Sequence, residues 1–154
     1  MFRSTVPLLL TCTILVGCSP DPRSTKITPE FLENPARVQQ VSNRLEPAAR
    51  PIFARYLLAR AVAASPLGQR AIPILTANGK DPATVGEALL LTERVMSLEA
   101  ERDAKQEAAS KLMAAAAASP EHETPEGIAA YNAAVHAYNA ATEEFDAKIG
   151  RLRK

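Results

Sequence analysis

The sequence predicts an all-α fold: short proline-delimited helices packed on a long antiparallel helical hairpin of coiled-coil type. Three observations carry the prediction. First, Ile128, Tyr131, Val135, Tyr138, Thr142, Phe145, Ile149 and Leu152 follow one another at alternating gaps of three and four residues, and seven of the eight are apolar. Such spacing keeps a stripe on one face of an α-helix. Second, a matching stripe lies upstream, at Leu91, Val95, Leu98, Arg102, Lys105, Ala109, Leu112 and Ala116. Third, tryptophan is absent, aromatic residues are only 5% of the chain and alanine is abundant. Alanine has the best helix propensity, and small side chains let helices approach closely.

At 154 residues the chain has room for one domain. Residues 1–17 read as a signal peptide that is removed. Arg3 supplies the positive start, and Val6 to Val16 is an apolar run too short to span a bilayer. The run ends in Leu15-Val16-Gly17-Cys18, which resembles the lipobox of bacterial lipoproteins. The resemblance implies that Cys18 is lipidated, with palmitate-like acyl chains, and becomes the new N-terminus. It also implies, through Ser19 rather than aspartate after the cysteine, an outer-membrane anchor facing the periplasm. Cys12 leaves with the signal, so no intramolecular disulfide remains available and packing must hold the fold.

The mature chain divides by its punctuation. Residues 18–27, Cys18 followed by a polar, proline-bearing stretch, read as the lipidated cysteine and a flexible tether. Residues 28–80 hold the short helices and 81–154 the hairpin. A small polar residue precedes proline at Thr28-Pro29, Asn34-Pro35, Ser65-Pro66, Asp81-Pro82 and Thr124-Pro125. The first residue of each pair can cap a helix, and proline suits the first helical position, so five helix starts are expected. Pro29 to Glu33 makes at most one turn. The next helix runs from Pro35 to about Leu45, and Pro47 and Pro51 then kink or break the chain. Ile52 to Ala64 is apolar nearly all round, as a buried helix would be. A broken helix follows from Pro66 to about Ala77, ending at the Asn78-Gly79 turn. The long helix begins at Pro82 or, with Thr84 and Glu87 as a capping box, slightly later, and runs to Pro120. At 1.5 Å per residue that is roughly 55 Å. The polar connection of residues 119–124 turns the last helix back against it.

Charge is uneven. Residues 19–80 carry nine Lys/Arg against four Asp/Glu, and residues 81–154 carry eight against thirteen. Either the basic half docks on the acidic half, or it lies near anionic lipid head groups. Within the hairpin, Arg102 and Lys105 occupy core positions across from the region of Tyr138 to Phe145. Arg102 could stack on either ring, or both long stems could follow the seam with their heads in water. These four residues are the candidate partner or ligand contacts.

Catalytic chemistry has little support. His122 falls in the turn and His136 on the outer face of the last helix, and neither has a His or Cys at metal-ligand spacing. Glu143, Glu144 and Asp146 read as an ordinary charged outer face. No Gly-rich phosphate loop occurs, and basic residues are too dispersed for a nucleic-acid surface. The expectation is a non-enzymatic protein with no cofactor and no metal.

Tyr131-Asn132-Ala133-Ala134-Val135 returns seven residues later as Tyr138-Asn139-Ala140-Ala141-Thr142, followed by Phe145. This is similar to the repeat in the C-terminal helix of LemA-like envelope proteins, although Asp146 stands where that family usually has proline. The resemblance implies a membrane-anchored helical bundle. The function expected is a lipid-anchored cell-envelope protein with a structural or partner-binding role, engaging a protein partner or itself. The alternative is a periplasmic module that binds a small apolar or lipid ligand between the Ile52–Ala64 helix and the hairpin, against Phe53, Tyr56, Leu57, Tyr138 and Phe145.

Overall fold

The computed structural model describes residues 20–63 and 80–152, which form five α-helices with no strand among them. The expected signal peptide, Cys18, the Ser65-Pro66 start and the broken helix at 66–77 with its turn lie outside the described residues. The helices are α1 (Pro29–Leu32), α2 (Pro35–Arg44), α3 (Ala49–Ala63), α4 (Val85–Ala118) and α5 (Pro125–Leu152). The all-α hairpin architecture is as the sequence predicts.

Capping explains most of the starts. Thr28 Oγ1 accepts the Phe31 N–H at 3.2 Å, and Asn34 Oδ1 accepts that of Arg37 at 3.0 Å. Thr124 Oγ1 likewise accepts the Gly127 N–H at 3.1 Å. In each case proline takes the first helical position, where a missing N–H leaves nothing unpaired. The long helix starts from the capping box instead of Pro82. Thr84 Oγ1 accepts the Glu87 N–H at 3.2 Å, and the Glu87 carboxylate reaches back to the Ala83 N–H at 2.7 Å.

Two expectations need correction. Pro51 does not break the chain: α3 begins at Ala49, so Pro51 sits in its first turn, where no intrahelical N–H bond is required. The stretch read as a tether is also part of the fold from Pro20 onward. Residues Pro22–Ser24 form a 3-10 turn, and Lys26 bridges to Thr84. The Ile27 N–H donates to the Ala83 carbonyl at 2.9 Å, and the Val85 N–H to that of Thr25 at 3.0 Å. Gly86 permits this approach, because a Cβ there would lie 3.2 Å from the Arg23 carbonyl oxygen.

The core lies at the open end of the hairpin. Phe31, Val41, Leu45, Phe53 and Tyr56 pack there against Val85, Leu89, Val95 and Leu98 of α4 and Phe145 and Ile149 of α5. Phe53 and Tyr56 stack with centroids 6.2 Å apart. The Tyr56 hydroxyl makes no standard hydrogen bond among the described residues. Burial pushes its pKa up, and the Arg60 guanidinium opposes that shift. Arg60 also pairs with Asp81 at 2.7 Å, tying the end of α3 to the residues before α4.

Toward the loop at 119–124 the predicted stripe leaves the interface. Phe145 is 7% exposed, but one heptad earlier Tyr138 is 36% exposed, and two heptads earlier Tyr131 is 43% exposed. A straight α-helix drifts by about 20° per heptad against a 3.5-residue repeat, so a strict heptad stripe rotates away from its partner unless the helices supercoil. The same drift brings Ala141 and Ala134 inward, where they are 4% and 3% exposed, together with Ala109 of α4 at 2%. The distal hairpin is therefore closed by alanine, not by the tyrosines.

Candidate interaction site on the hairpin

The antiparallel pairing of α4 and α5 places residues 101–106 beside 141–148. The Arg102 guanidinium lies over the Phe145 ring, 4.7 Å from its centroid, and donates to Asp103 Oδ1 from Nε at 2.9 Å and Nη2 at 2.7 Å. Of the two rings open to it in the sequence, Arg102 thus takes Phe145. Its stem covers the apolar seam while its head keeps a charged partner, so the seam accommodates a cation without leaving it unpaired.

Lys105 takes part in a closed ring of four charges. It reaches Glu101 Oε1 at 3.0 Å and Glu144 Oε2 across the hairpin. Lys148 completes the ring, at 2.7 Å from Glu101 and 2.8 Å from Glu144. Each lysine therefore meets both carboxylates. Hydrogen bonds from Lys105 and then Lys148 hold the Glu144 pKa down to about 2. Lys148 and then Lys105 lower that of Glu101, and both lysines are raised in turn. The ring is solvent-exposed, so it is screened by salt and fixes register more than it stabilises. Glu144 is accordingly not the simple outer-face acid the sequence suggested. Gln106 adds a second register contact, donating to Thr142 Oγ1 at 3.0 Å.

A void of about 10 Å³ lies between Leu98, Arg102, Ala141 and Phe145, beside the ring. That is room for no more than one water. This middle zone is a filled joint. Of the four predicted contact residues, Arg102 and Phe145 touch, Lys105 is engaged in the adjoining ring, and Tyr138 stands apart. Seven residues from Phe145 along α5, it is roughly 10 Å away. The five residues expected to line a ligand cavity are divided in the same way. Phe53, Tyr56 and Phe145 belong to the packed core with Leu57 against it, whereas Tyr138 lies outside.

The available surface lies nearer the loop. Ile128 is 50% exposed on the same rotated stripe as Tyr131 and Tyr138, and Leu112 is 61% exposed on α4. Leu112 borders an open cleft of about 470 Å³ lined by Ala115, Ala116, Ala130 and Ala134. Residues 112–137 contain three acidic side chains, Glu121, Glu123 and Glu126, and no Lys or Arg. In the loop, His122 Nδ1 is 2.8 Å from the Ser119 carbonyl oxygen and Nε2 is 3.7 Å from Glu123. The ring so closes the turn. Among the described residues no three His, Cys, Asp or Glu side chains converge as a metal site, and no helix is long and apolar enough to cross a membrane.

Sequence reasoning missed Glu101, Glu144 and Lys148 as a unit. Its signal was present, since Glu101/Lys105 and Glu144/Lys148 are both spaced i, i+4 with the glutamate first. No protein-family model, curated protein or solved structure matches this chain.

Proposed function

We propose that the protein is a lipid-anchored component of the bacterial cell envelope that works by binding and not by catalysis. In this reading Cys18 carries the acyl anchor, the open end of the hairpin is the folded base, and the distal hairpin engages a protein partner. The observation that carries it is the uncovered stripe of Ile128, Tyr131 and Tyr138, on a part of the hairpin beyond the packed core. A soluble surface does not ordinarily leave several large apolar side chains together without an interaction to serve. Tyrosines suit such a role because they bury a large apolar body while the hydroxyl stays satisfied by water or by the partner. Glu121, Glu123 and Glu126, with no Lys/Arg in residues 112–137, select a partner with a basic rim and disfavour a second copy docked tip to tip.

Photo-crosslinking in living cells tests the reading. A crosslinking residue at Ile128 or Tyr131 is expected to give one recurrent, heavier adduct, with none from His136 on the outer face. A ladder at multiples of the monomer would replace the partner by self-assembly. Absence of any protein adduct at Ile128, Tyr131 and Tyr138 would sink the binding role.

A further inference from the structure

We infer that the open end of the hairpin rests directly on anionic phospholipid head groups, so that the loop at 119–124 stands on the order of 50 Å from the bilayer. The inference rests on the lipid-anchor reading of Cys18 and goes beyond it by fixing how the domain is held.

The first ground is reach. Pro20 is already fastened to the domain, because the Arg44 guanidinium donates to its carbonyl oxygen. Arg23, three residues on, pairs with Glu46 at 3.2 Å, and residues 25–27 pair with 83–85. Only Ser19 separates Pro20 from Cys18. Two Cα-to-Cα steps span at most about 7 Å, so an acyl anchor on Cys18 cannot let the domain swing freely. Residues Pro20 to Arg23 lie beside the start of α4, where Gly86 meets the Arg23 carbonyl. The anchor is therefore at the open end, and the 34 residues of α4 lead away from it.

The second ground is charge. Residues 20–63 carry seven Lys/Arg and four Asp/Glu, whereas residues 112–137, around the loop, carry three Asp/Glu and no Lys/Arg. Arg23, Arg44 and Arg50 gather at the anchored end, where the Arg50 guanidinium donates to the Asn43 carbonyl at 2.9 Å and the Leu45 carbonyl at 3.0 Å. Asp21, Glu46, Asp81 and Glu87 share that end, against Arg23, Lys26, Arg44, Arg50, Arg60 and Lys80, so the balance there stays positive. An anionic surface attracts this base and repels the tip, over a Debye length of roughly 8–10 Å. Any tilt that brings the tip down meets that repulsion, while the short anchor keeps the base in contact.

The test uses the full chain, expressed in bacteria, purified from membranes and reconstituted in vesicles of phosphatidylethanolamine and phosphatidylglycerol. A small fluorophore is attached through a clickable amino acid at Ala48, in the exposed turn beside Glu46, or at Glu123, in the loop. The vesicles carry a head-group quencher. Several-fold quenching at Ala48 with none at Glu123 is the expected result. Equal quenching at both would mean that the hairpin lies flat, and no quenching at either would mean a long free tether; both overturn the inference. The mass of the purified chain, and the distribution of a Cys18→Ser variant between membrane and soluble fractions, are read separately. An unacylated chain, or a variant that stays with the membrane, would remove the anchor itself, which is distinguishable from a wrong orientation.

Discussion

Phe145 and Tyr138 occupy the same heptad position one repeat apart, and the structure gives them opposite energetic weights. Phe145 is 7% exposed and carries Arg102 over its ring at 4.7 Å; Tyr138 is 36% exposed. Truncating a buried phenylalanine to alanine costs about 3–5 kcal/mol through lost transfer energy and the cavity left behind. Loss of the half-exposed cation–π contact adds roughly 0.5–1 kcal/mol. Phe145→Ala is therefore expected to destabilise by about 4 kcal/mol and Tyr138→Ala by less than about 1 kcal/mol. Urea titration followed by far-UV circular dichroism suits a chain without tryptophan, and an unchanged slope would show that both variants unfold from a similar native state. Ala141→Leu supplies the crossed control. The heptad stripe alone places Ala141 beside the seam and tolerates leucine. The drifted interface, where Ala141 is 4% exposed, has no room and should lose about 1–3 kcal/mol. Equal losses at Phe145 and Tyr138, or a neutral Ala141→Leu, would refute the drift.

Other perturbations follow from the joint and the loop. Glu144 is held down to about 2 and Glu101 is also lowered from 4.5. Both bind protons less readily when folded, so their stabilisation is complete above pH 4.5 and is lost as the pH falls toward 2. The melting midpoint of the wild type should drop across that window, and a Glu101→Gln/Glu144→Gln variant should drop less; superimposable profiles would remove the ring from the account. At Gly127 a Cβ would lie 2.1 Å from the Glu121 carbonyl oxygen and 2.9 Å from the His122 Cα, both rigid backbone, whereas at Gly150 nothing stands within 4 Å. Calorimetry should show Gly127→Ala destabilising by on the order of 2 kcal/mol and Gly150→Ala stabilising by about 0.5–1 kcal/mol; the same sign for both would contradict the loop geometry.

What could be read from the sequence was whatever is written in side chains close together along the chain. Thr28, Asn34 and Thr124 announce helices because a side-chain oxygen that accepts a backbone N–H, and the proline that follows it, act over three or four residues. The hairpin was legible because its stripes repeat over several heptads. Docking of residues 25–27 onto 83–85 was not, since it runs through backbone N–H and carbonyl groups that any sequence possesses. Nor was the drift from tyrosine to alanine. The difference between 3.5 and 3.6 residues per turn is invisible in one heptad and decisive after two, and its direction depends on whether the paired helices supercoil. The ion ring sits between these cases. Each i, i+4 pair is visible, but their fusion needs the register that places Lys105 opposite Glu144.

That register divides the hairpin into zones of unequal strength, which bears on how the tip can work. At the open end Leu91, Val95, Leu98, Phe145 and Ile149 are all buried, and each such side chain contributes about 1.5–3 kcal/mol. In the distal half the buried contacts are Ala109, Ala134 and Ala141, whose methyl groups contribute roughly 0.8 kcal/mol each. Backbone entropy opposes both zones alike, so the distal zone should open locally well before the base unfolds. Hydrogen exchange measures this directly. Amides of residues 88–98 and 145–149 should exchange only through global unfolding, whereas those of 112–131 should exchange far faster and respond little to Phe145→Ala. Uniform protection along α4 and α5 would mean that the alanine seam is as strong as the leucine one. A tip that opens alone lets a partner reshape the Tyr131 and Ile128 surface without disturbing the base, which a uniformly rigid coiled coil would not allow.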